Sequence, residues 1–153
     1  MKISTRGRYA LRMMLEFARE PEKVTKLCDV AASQHLSEKY LEQIVSPLAK
    51  AGFVKSIRGA QGGYLLTRRP EQYSVGEILR ATEGSMAPVV CLENGSEPCQ
   101  MAGRCVSRNV FQKSENAVNR VIDNISLAEL LKEDNEIGGL PDNGTAVRNC
   151  ERK

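Results

Sequence analysis

Residues 37–67 read SEKYLEQIVSPLAKAGFVKSIRGAQGGYLLT, and this stretch decides the fold. Its first half predicts a helix, because the good N-cap residue Ser37 precedes apolar residues at helical spacing. Its second half predicts a β-hairpin, because strand-like runs at 53–58 and 64–67 flank a turn rich in glycine. A capped helix followed directly by a hairpin is typical of the recognition helix and wing of a winged helix-turn-helix domain.

The flanking residues supply the rest of this domain. Residues 5–18 predict a helix, and a short helix that starts near Thr25 ends at the polar break 33–37. Downstream, Ser74 and Glu77 make a capping box for a further helix, which Gly84 ends. The predicted fold is therefore mainly α with a small β-hairpin.

A second apolar stripe predicts a long helix after residue 105. It consists of Val106, Val110, Phe111, Val118, Val121, Ile122 and Ile125. We expect a second subunit to cover it, with packing inside the chain as the alternative. The predicted organisation is a winged helix-turn-helix domain at 1–85, a cysteine-containing loop at 86–104, a dimerisation helix and short terminal helix at 105–133, and a largely disordered tail at 134–153.

Charge is distributed unevenly along the chain. Residues 1–69 hold 13 Lys and Arg against 6 Asp and Glu, whereas residues 70–153 hold 9 against 13. A basic first half suits double-stranded DNA, although ordinary surface charge is an alternative. No apolar run approaches the ~18 residues of a membrane span, and the N-terminus lacks an apolar signal segment, so we expect a cytoplasmic protein without membrane contact.

The sequence does not favour an enzyme. No nucleophile–base pair surrounds the lone histidine, His35, and the glycines at 59–63 precede a strand rather than the helix that a phosphate-binding loop requires. A protein-interaction adaptor is the stronger rival to a transcription regulator. Salt-sensitive preference for one operator over random DNA would separate the two.

Three cysteines lie close together in the predicted loop. Cys91, Cys99 and Cys105 are spaced C-x7-C-x5-C. Thiolates are soft donors that suit iron–sulfur clusters or zinc. The spacing therefore indicates a metal or redox site, with cysteines that bind nothing as the alternative.

Four blocks make the chain resemble the iron–sulfur cluster regulator (IscR-like) family of winged-helix transcription regulators. They lie at 4–10 (STRGRYA), 36–43 (LSEKYLEQ), 52–64 (GFVKSIRGAQGGY) and 124–127 (NISL), and the likeness runs from residue 1 to about 133. The family also contains a nitric-oxide-sensing repressor and a cluster-free repressor of cysteine metabolism. The stretch from residue 46 through the wing is similar to the cluster-free branch.

The fold and the resemblance together predict the DNA-binding residues. The recognition helix offers Ser37, Glu38, Lys39, Tyr40, Glu42 and Gln43. Gln43 can pair with adenine, and Glu42 can accept from cytosine; the resemblance implies that this glutamate helps to select the promoter class. Lys39 and Tyr40 are expected on phosphates.

Arginines outside the recognition helix extend this prediction. Arg58, which precedes Gly59 at the wing tip, is expected in a narrow minor groove, a role that the resemblance implies. Arg6 and Arg8 are candidate phosphate contacts, with plain solvation as the alternative. A homodimer predicts a pseudo-palindromic operator.

The resemblance also implies an iron–sulfur cluster on Cys91, Cys99 and Cys105, and we favour 2Fe–2S over 4Fe–4S. The fourth ligand departs from the family. Arg108 replaces its usual histidine, and Arg8 replaces the acidic residue that the nitric-oxide-sensing branch takes from a partner. The open alternatives are Glu16 of the partner subunit, Cys28, Cys150, solvent and Arg108 itself.

These features predict a dimeric repressor whose operator binding is controlled by the cluster. Its expected targets are genes of cluster assembly or of related sulfur and stress responses. The alternative is a cluster-free regulator of cysteine and sulfur metabolism, controlled by a partner protein or a small thiol metabolite.

Overall fold

The computed structural model describes residues 2–97 and 99–138, which form six helices and one antiparallel hairpin. In chain order the elements are α1 (Thr5–Arg19), α2 (Leu27–Gln34), α3 (Glu38–Lys50), β1 (Val54–Ile57), β2 (Gly63–Leu66), α4 (Val75–Glu83), α5 (Val106–Asp123) and α6 (Leu127–Ile137). This confirms the predicted fold class, a winged helix-turn-helix domain followed by a long helix.

Helix α1 lies at the centre of the hydrophobic core. Its buried face packs against α4, α6 and α3 and consists of Gly7, Ala10, Met13, Met14, Phe17 and Ala18. The turn between α2 and α3 is made by His35, whose left-handed backbone (φ 54°) ends α2. This histidine is exposed and serves the turn of the helix-turn-helix.

The wing is a short hairpin tied to the helices at its base. Its register pairs Val54 with Leu66 and Ile57 with Gly63, so β1 is two residues shorter than predicted, and β2 has the predicted length but lies one residue earlier. The buried Tyr73 fixes the open end of the hairpin. Its hydroxyl donates to the Phe53 carbonyl at 2.8 Å and accepts the Arg68 backbone N–H at 2.8 Å.

The ends of α4 and α6 meet in a second backbone junction. Both helices begin with capping boxes, Ser74 with Glu77 and Ser126 with Glu129. Between them the Val75 N–H donates to the Ile125 carbonyl at 2.9 Å. This junction connects the winged domain directly to the chain that follows α5.

Helix α5 covers little of its own chain. None of its residues, all of which the structure describes, is buried. Val106 is 77% exposed, Val110 56% and Val121 58%, whereas Ile122 packs partly against α4 residues. The apolar stripe therefore stays largely open in the single chain.

One predicted boundary was wrong. The expected tail at 134–153 begins four residues too early, because α6 continues through Ile137. Asp134 adds a reason for this extension, since its carboxylate pairs with Arg19 of α1 at 2.5 Å. Residues 139–153 of that tail lie outside the described residues. Over the described ranges, no helix combines the length and apolar character that crossing a membrane requires.

Candidate nucleic-acid interface and cysteine loop

Most of the residues of helix α3 that are predicted to contact DNA are exposed to solvent. Leu41, Ile44, Val45 and Leu48 are buried on its inner side, and this leaves an outer face that carries the exposed Glu38, Lys39, Glu42 and Gln43. Ser37 caps the helix, because its hydroxyl accepts the Tyr40 backbone N–H at 3.3 Å. The cap and the buried inner side together fix the orientation of the outer face.

Tyr40 is placed differently from its exposed neighbours. Its ring is half-buried and packs edge-on against Tyr9 of α1, with ring centroids 6.0 Å apart. The Arg12 guanidinium lies 5.4 Å from the centre of the Tyr9 ring. Arg12 is therefore a further candidate cation beside the recognition helix. Sequence reasoning missed it, although its position one turn after Arg8 was a signal.

The wing tip holds Arg58 in an exposed position. The next residue, Gly59, has a φ of +114°, a conformation that favours glycine. Its carbonyl accepts the Gly62 N–H at 2.9 Å and closes the turn. Arg58 is therefore exposed beside a short, hydrogen-bonded turn, and its contact with a minor groove stays a prediction.

The N-terminus of α1 is held by a carboxylate from α4. One Glu83 oxygen accepts the Ser4 N–H at 3.0 Å, the Ser4 hydroxyl at 2.7 Å and the Gly7 N–H at 3.1 Å. The negative charge of this carboxylate also stabilises α1, because it lies beside the positive end of the helix dipole. Arg6 and Arg8 follow this anchor and are exposed, and Arg8 donates to the Thr5 hydroxyl at 3.2 Å.

The three cysteines are spread along the loop between α4 and α5. Cys91 lies in the short turn Val90–Leu92, Cys99 is exposed, and Cys105 is the N-cap of α5. All three are free thiols. Across the described ranges, no three His, Cys, Asp or Glu side chains are grouped so as to hold a metal ion. The structure therefore does not bring the predicted ligands together, and the loop would have to rearrange to do so.

Cys105 has the chemistry of a ligand. The Ser107 hydroxyl, 3.2 Å from its Sγ, and the Arg108 backbone N–H, 3.4 Å away, lower the pKa of this thiol below its ordinary value. Both groups stabilise the thiolate, which is the form that binds metals.

Arg108 and Glu16 are two of the candidates for the fourth ligand of the cluster. The Arg108 Nε is buried and has no hydrogen-bond partner among the described residues, so the helix turn that carries Cys105 holds an uncompensated donor. Glu16 is occupied within its own chain, since its carboxylate accepts from Gln34 Nε2 at 2.6 Å and from the Ser33 hydroxyl at 3.1 Å. The structure thus disfavours Glu16 as a ligand. Cys150 lies outside the described residues.

Comparison with known proteins identifies the family to which this chain belongs. Residues 3–133 match the model of Rrf2, described as an iron-dependent transcriptional regulator. The chain belongs to the Rrf2 family. Because that match spans both the winged domain and the cysteine loop, the chain is a DNA-binding transcription regulator of the Rrf2 family and not an enzyme.

Named relatives include the regulators CymR and IscR. The chain is 45% identical over 131 residues to the HTH-type transcriptional regulator CymR of Bacillus subtilis, covering 85% of this chain and 89% of CymR. It is 37% identical over 143 residues to the HTH-type transcriptional regulator IscR of Aliivibrio salmonicida, covering 93% and 83%. The solved structure of B. subtilis CymR (YrzC), the global cysteine regulator, superposes with a TM-score of 0.69 at 42% identity, covering 87% of this chain and 98% of that one.

The lowered thiol pKa in this Rrf2 protein gives a pH prediction. In reduced, metal-free protein, Ser107→Ala removes the main stabiliser of the Cys105 thiolate, so the thiol pKa rises. Iodoacetamide alkylation of Cys105, followed by mass spectrometry as a function of pH, should move to higher pH. Ser114→Ala, the same change two turns along α5, should leave the profile in place. An unmoved profile in Ser107→Ala would contradict the prediction.

Proposed function

We propose that this Rrf2 protein is a dimeric DNA-binding repressor whose operator binding is controlled by an iron–sulfur cluster held by Cys91, Cys99 and Cys105. The observation that carries the proposal is a connection within one chain. Helix α4, which anchors the start of α1 through Glu83, also contacts α5, whose N-cap is Cys105. A change in the loop therefore has a direct route to the DNA-binding surface.

On DNA, the exposed α3 face enters the major groove. Gln43 pairs with adenine, and Glu42 accepts from cytosine while repelling phosphate at wrong sites. Lys39, Arg6 and Arg8 neutralise phosphates, with Tyr40 contributing from its half-buried position. Ser37 and Glu38 border this contact, and Arg58 and Gly59 meet the minor groove.

Arg58→Ala should weaken binding to a cognate operator by about 1–3 kcal/mol, on the scale of one good base-edge contact. Fluorescence anisotropy titration at fixed salt measures the change. Lys132→Ala, which removes one exposed positive charge from α6, is the control and should leave the affinity close to wild type. Equal affinities for Arg58→Ala and wild type would remove Arg58 from the site.

A second copy of the chain covers the open stripe of α5. Four of its apolar side chains stay exposed: Val106, Val110, Phe111 and Val121. A symmetric pair of such helices buries the same residues on both subunits. That pairing would set the distance between two recognition helices, and it predicts a pseudo-palindromic operator.

Phe111→Glu should convert the dimer into a monomer, because it places a charge in the apolar stripe where Phe111 is 40% exposed. Analytical ultracentrifugation gives the mass directly. Asn109→Glu adds the same charge to an exposed position of α5 outside the stripe and should remain dimeric. A dimeric Phe111→Glu protein would contradict the proposed interface.

The loop's donors fit an anionic, thiolate-bound cluster. Three free thiols supply soft ligands, and Cys105 already has a stabilised thiolate. The Nε of Arg108, which has no hydrogen-bond partner in the described part of the chain, lies on the same helix turn and suits a negatively charged neighbour. When bound, such a cluster supplies a centre that is sensitive to oxidation and iron supply. We favour 2Fe–2S.

The proposed control acts through the joint between α4 and α5. Arg80 of α4 donates to Asn119 at 3.4 Å and pairs with Asp123 of α5. Gathering Cys91 and Cys99 towards Cys105 draws the loop across this joint and fixes the angle of α5 to the winged domain. In the dimer, that angle sets the separation of the two α3 helices.

Iron and acid-labile sulfide in anaerobically purified protein test the cluster. We expect stoichiometric amounts of both in wild type, and their loss in Cys91→Ala, Cys99→Ala and Cys105→Ala. Ser96→Ala, in the same loop, should retain them. Colourless wild-type protein that cannot be reconstituted would reject the cluster while leaving DNA binding open.

A second function is favoured by one observation: the three thiols are not gathered into a ligand set among the described residues. The protein would then be a cluster-free regulator of cysteine and sulfur metabolism, controlled by a partner protein or a small thiol metabolite. The 45% identity to B. subtilis CymR supports this alternative. Specific operator binding by metal-free protein that changes only with such a partner or metabolite would establish it.

A further inference from the structure

A cavity of about 310 Å³ opens at the joint between α4 and α5, beside the cysteine loop. Its volume lies at the lower end of the ~300–1,000 Å³ typical of small-molecule sites. It is bounded by Arg80 of α4, by Met86 and Glu93 of the loop, and by Glu115 and Asn119 of α5. A molecule bound there would touch the winged domain, the loop and the long helix at once.

The charges on this cavity are mixed, and its free charge is negative. Glu93 and Glu115 contribute two carboxylates. Glu115 is oriented by Gln112, whose amide donates to it at 3.2 Å. The single guanidinium, Arg80, is partly neutralised by Asp123. The cavity can therefore receive a positive group at the carboxylates.

The lining of the cavity also contains a hydrogen-bond donor and apolar side chains. Hydrogen bonds to Asn119 and Asp123 use two of the five N–H groups that an arginine carries, so Arg80 can still donate to a carboxylate. Met86, which is 8% exposed, and Leu92 form an apolar surface. Ammonium, carboxylate and a short apolar chain are the three groups that this lining accommodates.

We propose that the cavity binds a free α-amino acid. The ammonium group lies between Glu93 and Glu115, the carboxylate meets Arg80 and the Asn119 amide, and the side chain lies on Met86 and Leu92. The site is separate from the predicted DNA-reading residues and from the three cysteine thiols. It does not rest on the proposed function, because binding is measured on metal-free protein and without DNA.

The test is isothermal titration calorimetry of the full-length protein with each proteinogenic L-amino acid in turn. We expect at least one to bind. For the tightest of them, two analogues are then titrated: the amine that lacks its carboxylate and the acid that lacks its ammonium group. Each should bind at least about tenfold more weakly, because each loses charge-assisted hydrogen bonds.

Variants locate the binding site. Glu115→Gln and Glu93→Gln should each weaken binding by about tenfold. Glu133→Gln, the same change at an exposed carboxylate of α6, should leave it unchanged, and circular dichroism checks that all three fold. The proposal is overturned if no amino acid binds, if the bare amine binds as tightly, or if both cavity variants bind like wild type. None of these results bears on operator binding.

Discussion

The contact of Arg80 with Asn119 and Asp123 is the constraint on which the arrangement of the winged domain and α5 depends. Helix α5 has no buried residue, so the hydrophobic effect alone does not fix it against its own winged domain. Gly76 permits the close approach, since an added Cβ there would collide with the Asp123 carboxylate. A partly exposed ion pair contributes little stability, typically about 0–1 kcal/mol. Such a contact can hold α5 in one orientation, and a ligand with a modest binding energy can still change that orientation.

That weak joint lies between two firmly built parts. On one side, α1 is buried in the core and its start is held by Glu83. On the other side, the backbone bonds between α4 and the start of α6 close the chain after α5. The loop with the three cysteines borders the joint, and so does the cavity lined by Glu93 and Glu115. Both thus act on α5, a helix with no buried residue to resist a change in its orientation.

The parts of the fold that could be predicted are those determined by interactions between residues close together in sequence. Ser37, the two capping boxes and the glycines of the wing each determine a few neighbouring residues, and all appear where the sequence placed them. The predicted end of α6 was wrong because the ion pair between Asp134 and Arg19, which stabilises the last turns of the helix, joins residues far apart in sequence.

The candidate site shows the same division. Exposure of Gln43 and Arg58 follows from helix and hairpin periodicity, so the sequence sufficed for both. The packing of Tyr40 on Tyr9 is a tertiary contact that no spacing encodes, whereas Arg12 could have been found from its position one turn after Arg8. Convergence of the three cysteines could not be predicted either, because loop spacing permits it without imposing it.

Control of operator binding by the state of the loop is the step on which the proposed function depends. It is tested most directly by the affinity of one operator for the same preparation before and after its iron and sulfide are removed, measured by anisotropy under anaerobic conditions. We expect the two Kd values to differ by at least about tenfold, or roughly 1.4 kcal/mol. Equal Kd values for cluster-loaded and cluster-free protein would contradict it.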